Sequence, residues 1–224
     1  MNERPLIDFD WILTHLDDIL IRTLQHIQLT AIPIAIGFVI SLGLSVWAVR
    51  RPRIYPPMTA MTGLLYTIPS LAAFAFLRPI FGLSLLTAVI PLTTYTLLIL
   101  VRNNVAGFQA VPAEVLEAAE GMGYTRRERL RHVELPLAVP LMITGLRLAS
   151  VTTIGLATVA AILGDSFGGL GQFITEGLQT LFPTKIYVGA VASVALAFAA
   201  DYAFIQLERC LTPWAQAQAQ AERG

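Results

Sequence analysis

Long apolar stretches occupy most of this sequence and limit its possible folds more than any other feature. Each comes close to the roughly 20 apolar residues that a helix needs to cross a lipid bilayer. The stretches run from about residue 29 to 49, 58 to 77, 83 to 101, 137 to 163 and 187 to 205. They predict an all-α, polytopic membrane protein with about five transmembrane helices.

The composition agrees with a membrane protein. Hydrophobic residues make up 55% of the 224 residues and charged residues only 13%, against about a quarter in soluble domains. The mean hydropathy is +0.67. The formal net charge is zero, so it does not indicate a nucleic-acid partner. The length suits one membrane domain and leaves no room for a soluble catalytic domain as well.

Hydropathy divides the chain into three segments. Residues 1–28 mix apolar residues with aspartates, which predicts an amphipathic helix lying on the membrane surface. Residues 29–207 form the transmembrane domain, in which Pro69 is expected to kink the second span. Residues 208–224 form a polar tail. Before the last span, residues 166–184 are moderately polar and predict either a short or re-entrant helix or a sixth span.

The largest polar segment, residues 112–136, separates the third span from the fourth. Pro112 suits a first helical position, and either Gly121 or Gly123 can end the helix that follows. The first half of the segment therefore predicts a short helix closed by a glycine turn.

The second half of this segment has its own helix start. Thr125 is followed three residues later by Glu128, which is the spacing of a capping box. A second helix is expected to run from there to His132 before Pro136 stops or redirects it. The whole segment thus predicts a helix, a turn and a helix between two spans.

The same segment resembles the EAA loop of ABC-importer permeases. The residues that carry the resemblance are Glu117, Ala118, Ala119, Gly123, Val133, Leu135 and Pro136. In that family the loop forms the coupling helices that dock into a groove of the ATPase subunit, and the glycine permits the turn between them. The resemblance implies a type I ABC importer permease fold whose coupling-helix hairpin lies in the cytoplasm.

The sequence around this loop is similar to one branch of that family, the osmoprotectant permeases for glycine betaine, choline or carnitine. The similarity lies in residues 67–71, in residues 133–140 continuing to Gly145-Leu146-Arg147, and in residues 153–158. It covers most of the chain from about Thr67 to Gly171. Methionine permeases share the fold and the loop but match these flanks less well.

The resemblance implies that the chain is the membrane-spanning subunit of an ATP-driven importer. Its expected partners are ABC ATPase subunits, a second permease copy or paralogue, an extracytoplasmic substrate-binding protein and membrane lipid. ATP and magnesium would be bound by the ATPase, and this chain would hold no cofactor.

Enzyme motifs do not compete with this interpretation. A P-loop needs a lysine within G-x-x-x-x-G-K-[ST], and the single lysine, Lys185, lies outside any such motif. Gly168-Gly169-Leu170-Gly171 lacks the G-x-G-x-x-G spacing, so it predicts a flexible outer turn rather than a phosphate loop. His15, His26 and His132 are scattered and support neither a metal site nor a catalytic triad.

Basic residues indicate the orientation. With the coupling hairpin inside, the inner side holds ten arginines, including Arg50, Arg51, Arg53, Arg102 and Arg126, and the outer side only four basic residues. The bias predicts an N-terminus outside and a C-terminus in the cytoplasm, and the resemblance implies that the membrane is a bacterial inner membrane.

Five polar or proline residues within spans are candidates for roles beyond packing. Arg147 could be functional or could extend toward the cytoplasmic headgroups, and pairing with Asp201 is the favoured role for both. Tyr66, Pro69 and Tyr95 are candidates for the translocation path, since aromatic faces attract quaternary ammonium groups. Ordinary helix packing is the alternative for these aromatic rings.

Other functions remain open at this stage. An ABC permease for methionine or another amino acid would share the loop and the fold. A secondary transporter driven by an ion gradient would often show two similar halves and several buried acidic residues, which this sequence does not show. A membrane scaffold without transport activity would not need Pro69 and Pro91 in consecutive spans.

Overall fold

The computed structural model describes residues 6–164 and 168–214 of the chain. Within those ranges the chain forms ten α-helices and no strand. The helices are α1 (Phe9–Thr14), α2 (Leu16–Arg50), α3 (Tyr55–Thr67), α4 (Ser70–Phe81), α5 (Leu85–Gln109), α6 (Ala113–Gly121), α7 (Arg126–Arg129), α8 (Leu135–Ala160), α9 (Gly171–Gln179) and α10 (Pro183–Leu211). The part of the predicted polar tail from residue 215 onward lies outside the described residues.

Four helical segments are long and apolar enough to cross a membrane. They are α2, α5, α10 and the continuous stretch Arg126–Ala160, which includes α7 and α8. The bent pair α3 and α4 makes a fifth if it is counted as one span. The prediction of an all-helical membrane protein with about five spans is therefore confirmed. Helix α9 has only nine residues, a length of about 14 Å, so it cannot cross a bilayer on its own.

Helix α5 lies at the centre of the bundle and packs against α2, α3, α4 and α8. Its side chains Leu92, Leu100 and Val101 are fully buried. Helix α2 approaches it closely because Gly37 and Ser41 present almost no side-chain bulk there, and a Cβ at Gly37 would overlap Thr96 Oγ1. Small residues repeated every four positions let membrane helices pack this tightly.

The helix that contains the first predicted span begins well before residue 29. Helix α2 continues without a break from Leu16 to Arg50, although the surface segment was expected to extend to residue 28. Although Asp10, Asp17 and Asp18 are exposed, other polar residues of this segment have protein partners. Arg22, for example, donates a hydrogen bond to Gln172 in α9 and lies 4.0 Å from Glu176.

The third span also extends beyond its predicted end at Val101, because α5 runs on to Gln109. Polar residues that were expected to lead into the coupling hairpin belong to this helix. Asn104 is fully buried, and its Nδ2 donates a 3.1 Å hydrogen bond to Ser41 Oγ in α2. This interhelical bond satisfies the Nδ2 of the buried amide, whereas the Oδ1 has no hydrogen-bond partner within the described residues.

Candidate coupling and translocation sites

The turn after α6 is built around a glycine in a left-handed conformation. Gly123 has φ +85°, while the Gly123 N–H donates to the Glu120 carbonyl at 2.9 Å and the Tyr124 N–H donates to the Ala119 carbonyl at 3.1 Å. These two bonds define a Schellman motif, which satisfies the last carbonyl groups of a helix. Gly123 therefore ends the first helix of the coupling segment (residues 112–136), and Gly121 remains within that helix.

The predicted capping box is present at the next helix start. The Glu128 N–H donates to Thr125 Oγ1 at 3.4 Å, and the Thr125 N–H donates to Glu128 Oε2 at 2.8 Å. Two of the backbone donors at this helix start are thereby satisfied.

Of the two outcomes expected at Pro136, a stop or a change of direction, the stop does not occur. Helix α7 passes into a π-helical turn, Leu130–Glu134, and that turn continues directly into α8. Pro136 lies at the first turn of α8, where the missing N–H is tolerated because the wider π turn has already changed the hydrogen-bond pattern. The second half of the coupling segment is therefore continuous with the fourth span.

Arg129 ties the two halves of the coupling segment together. Its guanidinium binds Glu120 of α6 and also Glu134 of the π turn, where the Nε to Oε1 distance is 2.8 Å. The sequence analysis did not identify this bridge. The spacing of five residues between Arg129 and Glu134 faces the two side chains toward each other only because the helix is locally π-helical.

The predicted EAA residues differ in exposure. Glu117 and Ala118 are exposed, whereas Ala119 is buried. Three large apolar side chains of the same segment are exposed as well: Val115, Met122 (71% exposed) and Tyr124. We call Val115, Met122 and Tyr124 the apolar tip. Large apolar residues in an otherwise polar segment are the sequence feature that could have predicted this exposed apolar surface.

The later residues of the predicted motif face the bundle rather than solvent. Val133, Leu135 and Pro136 are half-buried. Leu135 packs against the cluster of Phe108 and Met142, which α2 side chains also contact. Leu135 therefore anchors the coupling segment to the transmembrane helices, and the exposed surface of the segment comes from α6, the glycine turn and the start of α7.

The second span is broken at Pro69, although the sequence predicted only a kink. Helices α3 and α4 meet at 86°, and Ile68 between them has the extended angles φ −64° and ψ 126°. A residue before proline is disfavoured in the helical region, which accounts for the end of α3 at this point. Pro33, Pro91 and Pro140 lie inside continuous helices, so proline alone does not determine a break.

The break brings two of the predicted path residues together. The rings of Tyr66 and Tyr95 meet edge to face with their centroids 5.8 Å apart, and the Tyr95 hydroxyl donates a 2.7 Å hydrogen bond to the Ile68 carbonyl. Tyr95 is buried and Tyr66 is partly exposed. Ile68 and Tyr95 also line a cavity of about 190 Å³, so Tyr95 lies beside open space at the helix break.

The glycine-rich turn before α9 is more constrained than the sequence predicts. Gly168 and Gly169 have positive φ values of 65° and 83°, and Gly169 and Leu170 are buried. The Leu170 N–H donates to His26 Nδ1 at 3.2 Å, and His26 Nε2 donates to the Ile154 carbonyl at 3.1 Å. This part of the turn is thus fixed by a buried neutral histidine. Residues 165–167 of the turn lie outside the described residues.

The fold and the coupling segment together define a permease of the ABC importer class. Residues 34–210 match the family described as the binding-protein-dependent transport system inner membrane component. The chain belongs to this family, whose members are membrane subunits of transport systems and not the ATPases.

Individual relatives cover nearly the whole chain. The choline transport system permease protein OpuBB of Bacillus subtilis (strain 168) is 35% identical over 196 residues, which cover 88% of this chain and 89% of that protein. The osmoprotectant import permease protein OsmW of Salmonella typhimurium is also 35% identical, over 85% of this chain and 90% of that protein.

Solved structures agree in fold. An inward-facing structure of the MetNI methionine ABC transporter matches with a TM-score of 0.77 over 89% of this chain and 98% of that one. The sequence identity is 24%, so the likeness shows the fold alone.

Proposed function

We propose that this permease subunit imports a quaternary-ammonium osmoprotectant such as glycine betaine, choline or carnitine. The observation that carries the proposal is the near full-length similarity to permeases named for choline and osmoprotectant transport. The similarity includes the segment around Pro69 and the whole coupling segment, so it extends beyond the parts that ABC permeases need for docking alone.

The proposed assembly pairs this chain with a second permease copy or paralogue, ABC ATPase subunits and an extracytoplasmic binding protein. ATP and magnesium bind to the ATPase subunits, and this chain needs no cofactor. The apolar tip (Val115, Met122, Tyr124) and the exposed Glu117 beside it form the docking surface for the ATPase. Exposure of large apolar side chains to water is unfavourable, and such patches mark sites of contact with a partner protein.

The coupling step is mechanical in this proposal. ATP binding closes the ATPase pair and moves the coupling segment, and the attached helices tilt from an inward-open to an outward-open arrangement. The unbroken path from Arg126 to Ala160 supports this step, because a displacement of α7 passes into α8 without a flexible joint. The bridge from Arg129 to Glu120 makes α6 move with it.

The orientation follows from the same assembly. Docking places the coupling segment in the cytoplasm, the N-terminus outside and the C-terminus inside. The exposed arginines at the end of α2, Arg50 and Arg51, then lie on the cytoplasmic side with Arg126, as expected from the distribution of basic residues in membrane proteins.

The translocation path runs past the broken span. A trimethylammonium group has no hydrogen-bond donor and is attracted to aromatic faces. Tyr66, exposed beside Pro69, offers such a face, while the hydrogen bond from Tyr95 holds the break in position. One or two rings attract the cation only weakly, which suits a subunit that must release its substrate.

Uptake assays test the proposal directly. The chain would be expressed with its neighbouring ATPase and binding-protein genes in a strain that lacks other importers, and labelled glycine betaine, choline, carnitine and methionine would be supplied separately. We expect uptake of at least one quaternary-ammonium compound, with none of methionine. Transport of methionine alone would overturn the substrate assignment.

The energy source is tested in vesicles. Uptake is expected to require ATP and to persist after an ionophore has collapsed the ion gradients. Uptake that follows an ion gradient without ATP would indicate a secondary transporter and would contradict the coupling role of residues 112–136.

A further inference from the structure

A polar cavity of about 500 Å³ lies where the end of α2 meets the coupling segment. Four arginines and two glutamates line it: Arg50, Arg51, Arg126, Arg129, Glu120 and Glu134. These residues come from two parts of the chain that are far apart in sequence, the end of α2 and the coupling segment. The cavity is therefore a product of the tertiary fold.

The charges in this cavity are unevenly paired. Arg129 binds both glutamates, Glu120 and Glu134. No ion pair involves Arg50, Arg51 or Arg126 within the part of the chain that the structure describes. The two glutamates thus neutralise Arg129, and the other three arginines remain available to bind an anion.

The cavity lies at the end of a membrane-spanning helix. Arg50 is the last residue of α2. Trp47, one turn earlier, is 49% exposed, and tryptophan is enriched at the level of the lipid headgroups. Val49 adds an apolar side chain to the lining. A ligand in the cavity would therefore contact both the membrane boundary and the coupling segment.

We propose that this cavity binds the phosphodiester of an anionic phospholipid headgroup. Basic pockets at the ends of transmembrane helices attract acidic headgroups, and guanidinium groups match the oxygens of a phosphate with two parallel hydrogen bonds. The bound lipid bridges Arg50 and Arg51 of the α2 end to Arg126 of α7. This inference does not depend on which compound the permease carries.

The test measures lipid binding to the full chain in neutral detergent by native mass spectrometry. Wild-type protein is titrated with phosphatidylglycerol and, separately, with phosphatidylcholine, and we expect clear preference for phosphatidylglycerol. The affinity of the double variant Arg51→Gln with Arg126→Gln for phosphatidylglycerol should be about 30-fold lower than that of the wild type, which corresponds to about fivefold for each arginine removed. The double variant Arg51→Lys with Arg126→Lys keeps the charge and should retain most of the affinity.

Arg53 supplies the matched control, because it is exposed in the same short turn as Arg51 but does not line the cavity. Arg53→Gln should change phosphatidylglycerol affinity by less than about twofold, and circular dichroism should show that all variants remain helical. Equal loss of affinity in Arg53→Gln, or none in the double glutamine variant, would overturn the proposal.

Two further experiments distinguish a lipid headgroup from other anions that could occupy the cavity. Displacement of phosphatidylglycerol by an equal concentration of inorganic phosphate would assign the site to free phosphate and overturn the lipid assignment. A double glutamine variant that keeps its lipid affinity but no longer copurifies with the neighbouring ATPase would assign the arginines to a carboxylate of that partner. Neither result would bear on the uptake assays.

Discussion

Arg147 in α8 and Asp201 in α10 form a two-pronged ion pair between two transmembrane helices. The Nε to Oδ1 distance is 2.7 Å and the Nη2 to Oδ2 distance is 3.1 Å. Both side chains are about 70% shielded, at 31% and 30% exposure. The pairing that the sequence analysis favoured is confirmed, and it joins the last span to the span that carries the coupling segment.

Breaking this pair on one side should destabilise the bundle. Asp201→Asn leaves Arg147 without its counter-charge in an apolar setting, so the thermal midpoint in detergent should fall. The double variant Arg147→Met with Asp201→Leu should recover most of the loss, because it removes both charges and keeps the packing volume. A double variant less stable than Asp201→Asn would contradict this account.

Gly123 should tolerate few side chains, for a conformational reason. Its φ is +85°, and a Cβ there would meet no atom within 4 Å, so the cost of a side chain is backbone strain of about 1–2 kcal/mol. Gly123→Asp should reduce transport and ATPase association without reducing membrane insertion, since it also adds charge beside the apolar tip. The measurements are uptake, copurification with the ATPase and the amount of protein in the membrane.

Gly121 provides the control for that experiment. It also has open space around its Cβ position, but it lies in the helix and has no positive φ. Gly121→Ala should leave transport and ATPase association unchanged. If Gly121→Ala is as harmful as Gly123→Asp, the effect does not come from the turn conformation.

Arg129 should matter more for coupling than its neighbour Arg127. Arg129→Gln removes the contacts with Glu120 and Glu134, so α6 should move more freely relative to α8. Amide hydrogen exchange in residues 113–121 should become faster, and transport per ATP hydrolysed should fall. Arg127→Gln, at an exposed position on the same helix, should change neither quantity.

Gly37 and Gly43 should respond differently to the same substitution. Gly37→Ala places a methyl group against Thr96 between α2 and α5, and it should cost about 1–3 kcal/mol of stability through overpacking. Gly43→Ala points into open space and should be neutral or slightly stabilising. Thermal unfolding of both variants in the same detergent measures the difference. If adding Thr96→Ala to the Gly37→Ala variant restores part of the lost stability, the clash lies between the new methyl group and Thr96.

Tyr95 should act through its hydroxyl group as well as its ring. Tyr95→Phe keeps the ring against Tyr66 but leaves the Ile68 carbonyl at the helix break without its donor, at a cost of about 1–3 kcal/mol. The maximal uptake rate should fall more than the apparent substrate affinity. A large loss of affinity with an unchanged maximal rate would instead indicate that the hydroxyl contacts substrate.

Local chemistry made much of this protein predictable. The apolar stretches identified the spans because a bilayer requires helices of a certain length. The capping box at Thr125 and the turn at Gly123 could be predicted because each depends on residues within a few positions of one another. The partnership of Arg147 with Asp201 followed from the cost of an unpaired charge within a span.

The sequence by itself therefore determined the class of fold, the number of spans and the position of the coupling segment. Only the tertiary structure decided how these parts join. Contacts with remote helices accompany each departure from the predicted pattern: Tyr95 binds the Ile68 carbonyl at the 86° break, Arg22 near the early start of α2 binds Gln172, and Leu130 of the π turn packs against the cluster of Phe108. Arg129 reaches Glu120 because the chain turns back at Gly123, and it reaches Glu134 because the intervening turn is π-helical. Local propensities specify helices and turns, whereas the directions and partners of those helices are set by packing.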